Sequence, residues 1–229
     1  MIRLITAATR ECLEPLGLRR GKSRSWYDDR DWWIINVEFQ ASRRPGTYLN
    51  IGAMWLWTDQ EHWSFDEGCR VHWQGDGSFA STTPLGERGW TNFLDFRTAD
   101  QFSHDVRSLA QIAARRVAEL RAQFPDPPSV VRQLASRRTR SDESPWWHAY
   151  HTGAAAAFCG DAATARRSFD RITPNNLGVE WEHDLARRAS ELSSLANDPD
   201  ALRQRLHTTV QATRQRLKLS PGPTAAPGS

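Results

Sequence analysis

The residues best equipped for chemistry lie in one stretch of alternating sequence. Between Trp32 and Ser42, the polar residues Asn36, Glu38, Gln40 and Ser42 alternate with Trp33, Ile35, Val37, Phe39 and Ala41. A β-strand turns successive side chains to opposite faces, so this spacing predicts one polar and one apolar face. In Thr47 to Trp57, Tyr48, Asn50 and Gly52 fall opposite Leu49, Ile51, Ala53, Trp55 and Trp57. In Cys69 to Gln74, Arg70, His72 and Gln74 oppose Cys69, Val71 and Trp73. If these strands are neighbours, Trp32, Asn36, Glu38, Gln40, Tyr48, Asn50, Arg70 and His72 line a single surface. That surface is the expected ligand or partner site, because amides, an acid, an arginine, an imidazole and aromatics are what polar ligand sites use. The plainer reading is a solvated face, as one side of an antiparallel sheet often is.

Glu38 and His72 are the candidate catalytic residues. A carboxylate and an imidazole in contact form an acid–base pair, but spacing in sequence does not bring them together, and an ordinary ion pair is the alternative. Asp28, Asp29 and Asp31 ahead of Glu38-Phe39-Gln40 carry part of the Asp…Glu-x-Lys pattern of restriction-type nucleases, with Gln40 in place of the lysine. Two such carboxylates suit Mg²⁺, although aspartates in a hairpin turn are commoner. His148 and His151, and again Glu180 and His183, stand three apart and share a helix face. The second pair matches half of a di-iron carboxylate motif, without the remaining glutamates. There is no Cys-x-x-Cys, no His-Glu-x-x-His and no glycine-rich phosphate loop after a strand, so neither a metal nor a cofactor is expected.

The elements that must hold these residues follow from periodicity. Residues 2–16 predict a helix with Ile2, Ile5, Thr9, Cys12, Leu13 and Leu16 on one stripe, closed by Gly17. Residues 18–27 predict a first strand, and Arg43-Arg44-Pro45-Gly46 a turn. Residues 78–90 read as an exposed loop and 91–97 as an edge strand. Thr98 and Gln101 have capping-box spacing ahead of a stripe of Phe102, Val106, Leu109, Ala113, Val117, Leu120 and Phe124. The expected fold is α+β: an antiparallel, tryptophan-rich sheet covered by the N-terminal and long central helices, then an all-helical annex. The domains are 1–128, a short helix and polar linker at 129–144, the annex at 145–218, and a disordered tail at 219–229. Of eleven tryptophans, eight lie between Trp26 and Trp90. Indoles are bulky and their N–H needs a partner, so such crowding means an aromatic core or an aromatic binding surface. Alternation puts Trp33, Trp55, Trp57 and Trp73 on the core side and leaves Trp32 and Trp26 with the polar set.

Leu16-Gly17-Leu18 with Arg20, then Trp26-Tyr27, then Gln40-x-Ser42, then Tyr48-Leu49-Asn50-Ile51-Gly52 resemble a bacterial family, the domain of unknown function numbered 4304. The resemblance covers residues of about 2–124 and implies an α+β domain and no activity. Gly153, Ala165 and Phe169 resemble the small and aromatic packing positions of one tetratricopeptide-like helix pair over about 145–173. A solenoid needs several such units, so a helical hairpin or four-helix annex is expected instead.

Three scattered cysteines, Cys12, Cys69 and Cys159, argue against a disulfide framework and for a reducing cytoplasm. No apolar run reaches the length of a membrane span, and the N-terminus lacks a signal-peptide pattern. The net charge of +3 is only a weak lean toward acidic partners. Arg19, Arg20, Lys22, Arg24, Arg43 and Arg44 near Trp26, Trp32 and Tyr48 have the composition of a single-strand nucleic-acid binder, but neighbouring acids nearly balance them. The expected function is therefore a non-catalytic intracellular binding protein of bacterial type, of the immunity or defence-accessory kind. Its partner would be a protein or a small polar ligand. A metal-dependent hydrolase or nuclease around Glu38 and His72 is the first alternative, and a single-strand nucleic-acid binder the second.

Overall fold

The computed structural model describes residues 1–22, 24–80, 88–137, 144–173 and 179–219. They form two units. The first comprises Met1–Leu56 and Gln60–Ala122 with the segment from Leu217; the second comprises Trp57–Asp59 and Gln123–Arg216.

The first unit opens with helix α1, Ile2–Leu13, which buries Ile5, Ala8, Thr9 and Leu13 along one stripe. A 3₁₀ turn, Glu14–Leu16, follows. The chain then stops at Gly17, whose φ of 81° is the left-handed value a helix end favours in glycine. Strands β1 (Arg19–Arg20), β2 (Ser25–Asp29), β3 (Trp33–Ala41), β4 (Gly46–Trp55) and β5 (Glu67–Arg70) pair antiparallel in chain order. Two short strands, β6 (His72–Trp73) and β7 (Phe79–Ala80), form a separate ribbon. The predicted edge strand is β8, Phe93–Asp95, and it pairs with the start of β4. Gly46 makes that pairing possible, because a Cβ there would sit 2.3 Å from the Leu94 carbonyl oxygen.

The β3–β4 register is Trp33↔Trp55, Ile35↔Ala53, Val37↔Ile51 and Phe39↔Leu49, so these eight side chains share one face, all fully buried. Helix α2, Ala99–Gln123, buries the stripe its sequence predicts, from Phe102 through Leu120. Its N-terminus is capped as the Thr98–Gln101 spacing requires: the Gln101 N–H donates to Thr98 Oγ1 at 3.2 Å. Near its other end, Arg121 donates to Asp28 Oδ2 of β2 at 2.8 Å and to the Leu16 carbonyl at 2.7 Å. The fold is thus α+β, with a tryptophan-rich antiparallel sheet, an N-terminal helix, a long central helix and an all-helical C-terminal region.

The structure departs from the sequence reading in several places. Residues 18–27 do not form one strand, because β1 and β2 fold back and pair antiparallel. Trp73, expected on the core side, is half-buried in β6. The run Cys69 to Gln74 is not one strand. It divides at Val71, which is buried and whose N–H donates to the Leu49 carbonyl, so that Cys69–Arg70 belong to β5 while β6 pairs with β7. Trp26 lies opposite Val37 and is buried, so it belongs to the apolar side. Trp32 precedes β3 and stacks on Trp55 with centroids 5.8 Å apart, so it too joins the apolar tryptophans. Trp57 lies beyond the end of β4, in a 3₁₀ turn of Leu56–Thr58, and groups with the helices.

The second unit contains α3 (Pro127–Ser136), α4 (Pro145–Phe158), α5 (Ala162–Phe169), α6 (Glu180–Ser194) and α7 (Pro199–Arg216). Asp126, Ser144 and Asp161 each accept a backbone N–H at the start of α3, α4 and α5. The α4–α5 pair packs where the sequence places its small and aromatic residues: a Cβ on Gly153 would fall 2.6 Å from the Phe169 ring. Trp57 fits among these helices, its indole N–H donating to His151 Nδ1 at 3.3 Å and its ring 5.5 Å from that of Phe158. The polar stretch 138–143, the centre of the 78–90 loop and the tail beyond Leu219 lie outside the described residues.

Candidate functional site

The polar side of the sheet is built row by row from the strand register. One row crosses Ser25, Glu38, Asn50 and Arg70; a second crosses Tyr27, Asn36, Gly52 and Gly68; a third crosses Gln40, Tyr48 and Phe93. The far end of the face is covered. Ile34 and Met54 are fully buried, the Ser64 N–H meets Met54 Sδ at 3.4 Å, and Trp63 packs 5.3 Å from Tyr27. Gly52 leaves room for this segment, since a Cβ there would lie 3.1 Å from Phe65 Cδ1. Asn36 falls under this end, 5% exposed, and its Oδ1 has no hydrogen-bond partner among the described residues.

Glu38, Gln40, Tyr48 and Arg70 remain half-buried, and four of the expected site residues form one network. Asn50 Nδ2 donates to Glu38 Oε2 and to Gln40 Oε1, both at 3.0 Å. Arg70 Nε donates to Asn50 Oδ1 at 3.2 Å, and Arg70 Nη2 donates to Gln40 Oε1. Arginine only donates, so Gln40 must present its oxygen and Asn50 must turn its oxygen toward Arg70. The Arg70 guanidinium also lies 3.8 Å above the Tyr48 ring, whose edge meets Phe93 at 4.7 Å. Arg44 covers Phe93 at 3.8 Å. In the order Arg44, Phe93, Tyr48, Arg70 a pair of rings is flanked by a cation on each side, and each guanidinium is attracted to the aromatic face it covers.

His72 sits apart from this network. Its Nε2 meets Asn92 Nδ2 at 3.2 Å, and burial together with the Arg70 charge lowers its pKa below the ordinary histidine value. Asn92 was not among the expected site residues; it follows the irregular stretch before β8, where no periodicity marks it. Asp28, expected beside Glu38 in the nuclease reading, faces the opposite side of the sheet and is bonded to Arg121. Asp29 accepts the Asp31 N–H at 3.1 Å, a turn contact. Trp32 stacks on Trp55 instead.

A carboxyl outside the expected set has a marked environment. Asp66 accepts the Trp55 N–H at 2.7 Å and the Ser64 hydroxyl at 3.1 Å, and burial pushes its pKa up to about 7. A groove of about 790 Å³ lies between α2 and the β6–β7 ribbon, lined by Trp73, Gln74, Arg97, His104, Asp105 and Arg115. Its central groups are already engaged: Arg115 donates to the Gly77 carbonyl at 2.6 Å and Gln101 donates to Asp105. Among the described residues, no three His, Cys, Asp or Glu side chains are grouped to hold a metal, and no helix is long and apolar enough to cross a membrane.

No protein-family model, curated protein or solved structure matches this chain.

Proposed function

We propose that the chain is a non-catalytic binding protein that meets a partner protein through the exposed end of its polar sheet face. The observation that carries this reading is the shared bonding of Glu38, Gln40, Asn50 and Arg70. Cross-linked side chains keep one geometry before a partner arrives, which lowers the ordering cost of binding. The hydrolase reading has less support, because His72 pairs with Asn92 rather than with Glu38, and Asp28 belongs to the other face. A nucleic-acid role has no added observation in its favour.

The test is capture from the native host with the immobilised full chain, compared with a Glu38→Ala/Arg70→Ala chain whose circular dichroism is unchanged. A partner held by the wild type and by an Arg216→Ala control, and released by the double substitution, is the expected result. Equal capture by all three chains overturns the reading.

A further inference from the structure

The geometry points to Arg70 as the receptor for a carboxylate on that partner, with Glu38 receiving a basic group from the same peptide segment. This inference deepens the function proposed above and rests on it.

A guanidinium has five N–H donors in a fixed fork. Arg70 uses two of them, at Nε and Nη2, on the carbonyl oxygens of Asn50 and Gln40. Three remain. No carboxylate forms an ion pair with Arg70 among the described residues. The acid in its own row, Glu38, is bonded to Asn50 instead. Arg70 is therefore oriented by two amides, partly shielded by the Tyr48 ring at 3.8 Å, and left without a counter-charge. A planar fork held in this way recognises a carboxylate or phosphate with two parallel hydrogen bonds.

Glu38 decides between these anions. It is the mirror case, a carboxylate that accepts one amide hydrogen bond and has no cationic partner among the described residues. Asn50 joins the two charges and keeps them in one row across β3, β4 and β5, about 10 Å apart at the backbone given the usual spacing of strands. A run of phosphates laid over this row meets Glu38 as a like charge. It also needs several free cations to follow its backbone, and the neighbouring Arg44 already pairs with Asp95 at 3.8 Å. A peptide segment with one acidic and one basic side chain answers both ends of the row.

The experiment follows the Arg70 Nε–Hε resonance in the full chain labelled with ¹⁵N-arginine, assigned by its loss in Arg70→Lys. The probes are N-acetyl-glutamyl-lysine amide, its glutaminyl-lysine counterpart, N-acetyl-glutamyl-alanine amide, inorganic phosphate and oligothymidylate. The expected result is a saturable shift with the glutamyl-lysine peptide and binding weaker by about tenfold for the glutaminyl one. Glu38→Gln should remove the advantage of glutamyl-lysine over glutamyl-alanine while leaving the shift itself. Equal response to glutamyl and glutaminyl peptides overturns the inference, as does a stronger response to phosphate or oligothymidylate. If the peptides fail to discriminate while partner capture still requires Glu38 and Arg70, only the carboxylate assignment falls. If capture requires neither residue, the binding face itself falls.

Discussion

The Trp57 indole N–H donates to Nδ1 of His151, so the imidazole carries its own proton on Nε2 and is held neutral inside the helical unit. The link fixes the tautomer, because a doubly protonated ring has no acceptor to offer the indole. Burial, with smaller contributions from His148 and Arg137, brings the His151 pKa down to about 3 from an ordinary 6.5.

A pH dependence of stability follows. The folded state binds the His151 proton less readily than the unfolded chain does. Its contribution is therefore complete above pH 6.5 and is lost as the pH falls toward 3. Urea midpoints between pH 4 and 7, read through hydrogen exchange of the α4 amides, should fall with pH in the wild type. They should fall less in His151→Leu. At neutral pH the same substitution should cost about 1–3 kcal/mol, because the buried indole donor loses its acceptor.

Asp66 acts in the opposite sense. Its folded pKa of about 7 lies above the ordinary 3.8, so its contribution is present below 3.8 and is lost as the pH rises through 7. Asp66→Asn should flatten the alkaline side of the stability profile of the sheet unit, measured by exchange of the Trp55 amide. An unchanged profile would mean that the carboxylate is well solvated.

Gly153 tests the packing of the α4–α5 pair. Gly153→Ala brings a methyl group into the Phe169 ring and should lower stability by about 1–3 kcal/mol, despite alanine's better helix propensity. Phe169→Leu, which shortens the obstructing side chain, should recover part of the loss in the double variant. Thermal melts of the three chains give the comparison.

Asp28 and Arg121 supply a coupling that can be measured directly. Their side chains are 10% and 27% exposed, so the pair is poorly screened by solvent. A double-mutant cycle with alanine at both positions should give an interaction of about 0.5–3 kcal/mol. Arg121→Ala should cost more than Asp28→Ala, because it also removes the bond to the Leu16 carbonyl.

The parts of this fold that were legible in sequence are those where local period and burial agree. The alternation through β3 names Trp33, Ile35, Val37 and Phe39 as one buried side, and the α2 stripe and the Thr98 and Gly17 caps stand where their residue types require. Glu38, Gln40, Tyr48, Asn50 and Arg70 come together for the same reason, since side chains of one parity in paired strands must meet. Alternation does not reveal where a strand stops. Trp32 lies one residue before its strand begins and Trp57 lies two after its strand ends, so parity assigned both to faces they do not occupy. His72 leaves the row because the run divides at Val71 into two strands with different partners. Asp66 had no local signal at all; its raised pKa comes from burial, which outweighs the lowering effect of the Trp55 N–H bond.

The amide of Asn50 has only one allowed orientation, with its nitrogen toward Glu38 and its oxygen toward Arg70. The polar row is consequently directional, reading acid, amide, base across the strands rather than along them. A segment lying over it in one sense meets opposite charges at both ends, and the same segment reversed meets like charges at both. Discrimination between a sequence and its reversal is thereby built into three neighbouring side chains, without a cleft to enclose them.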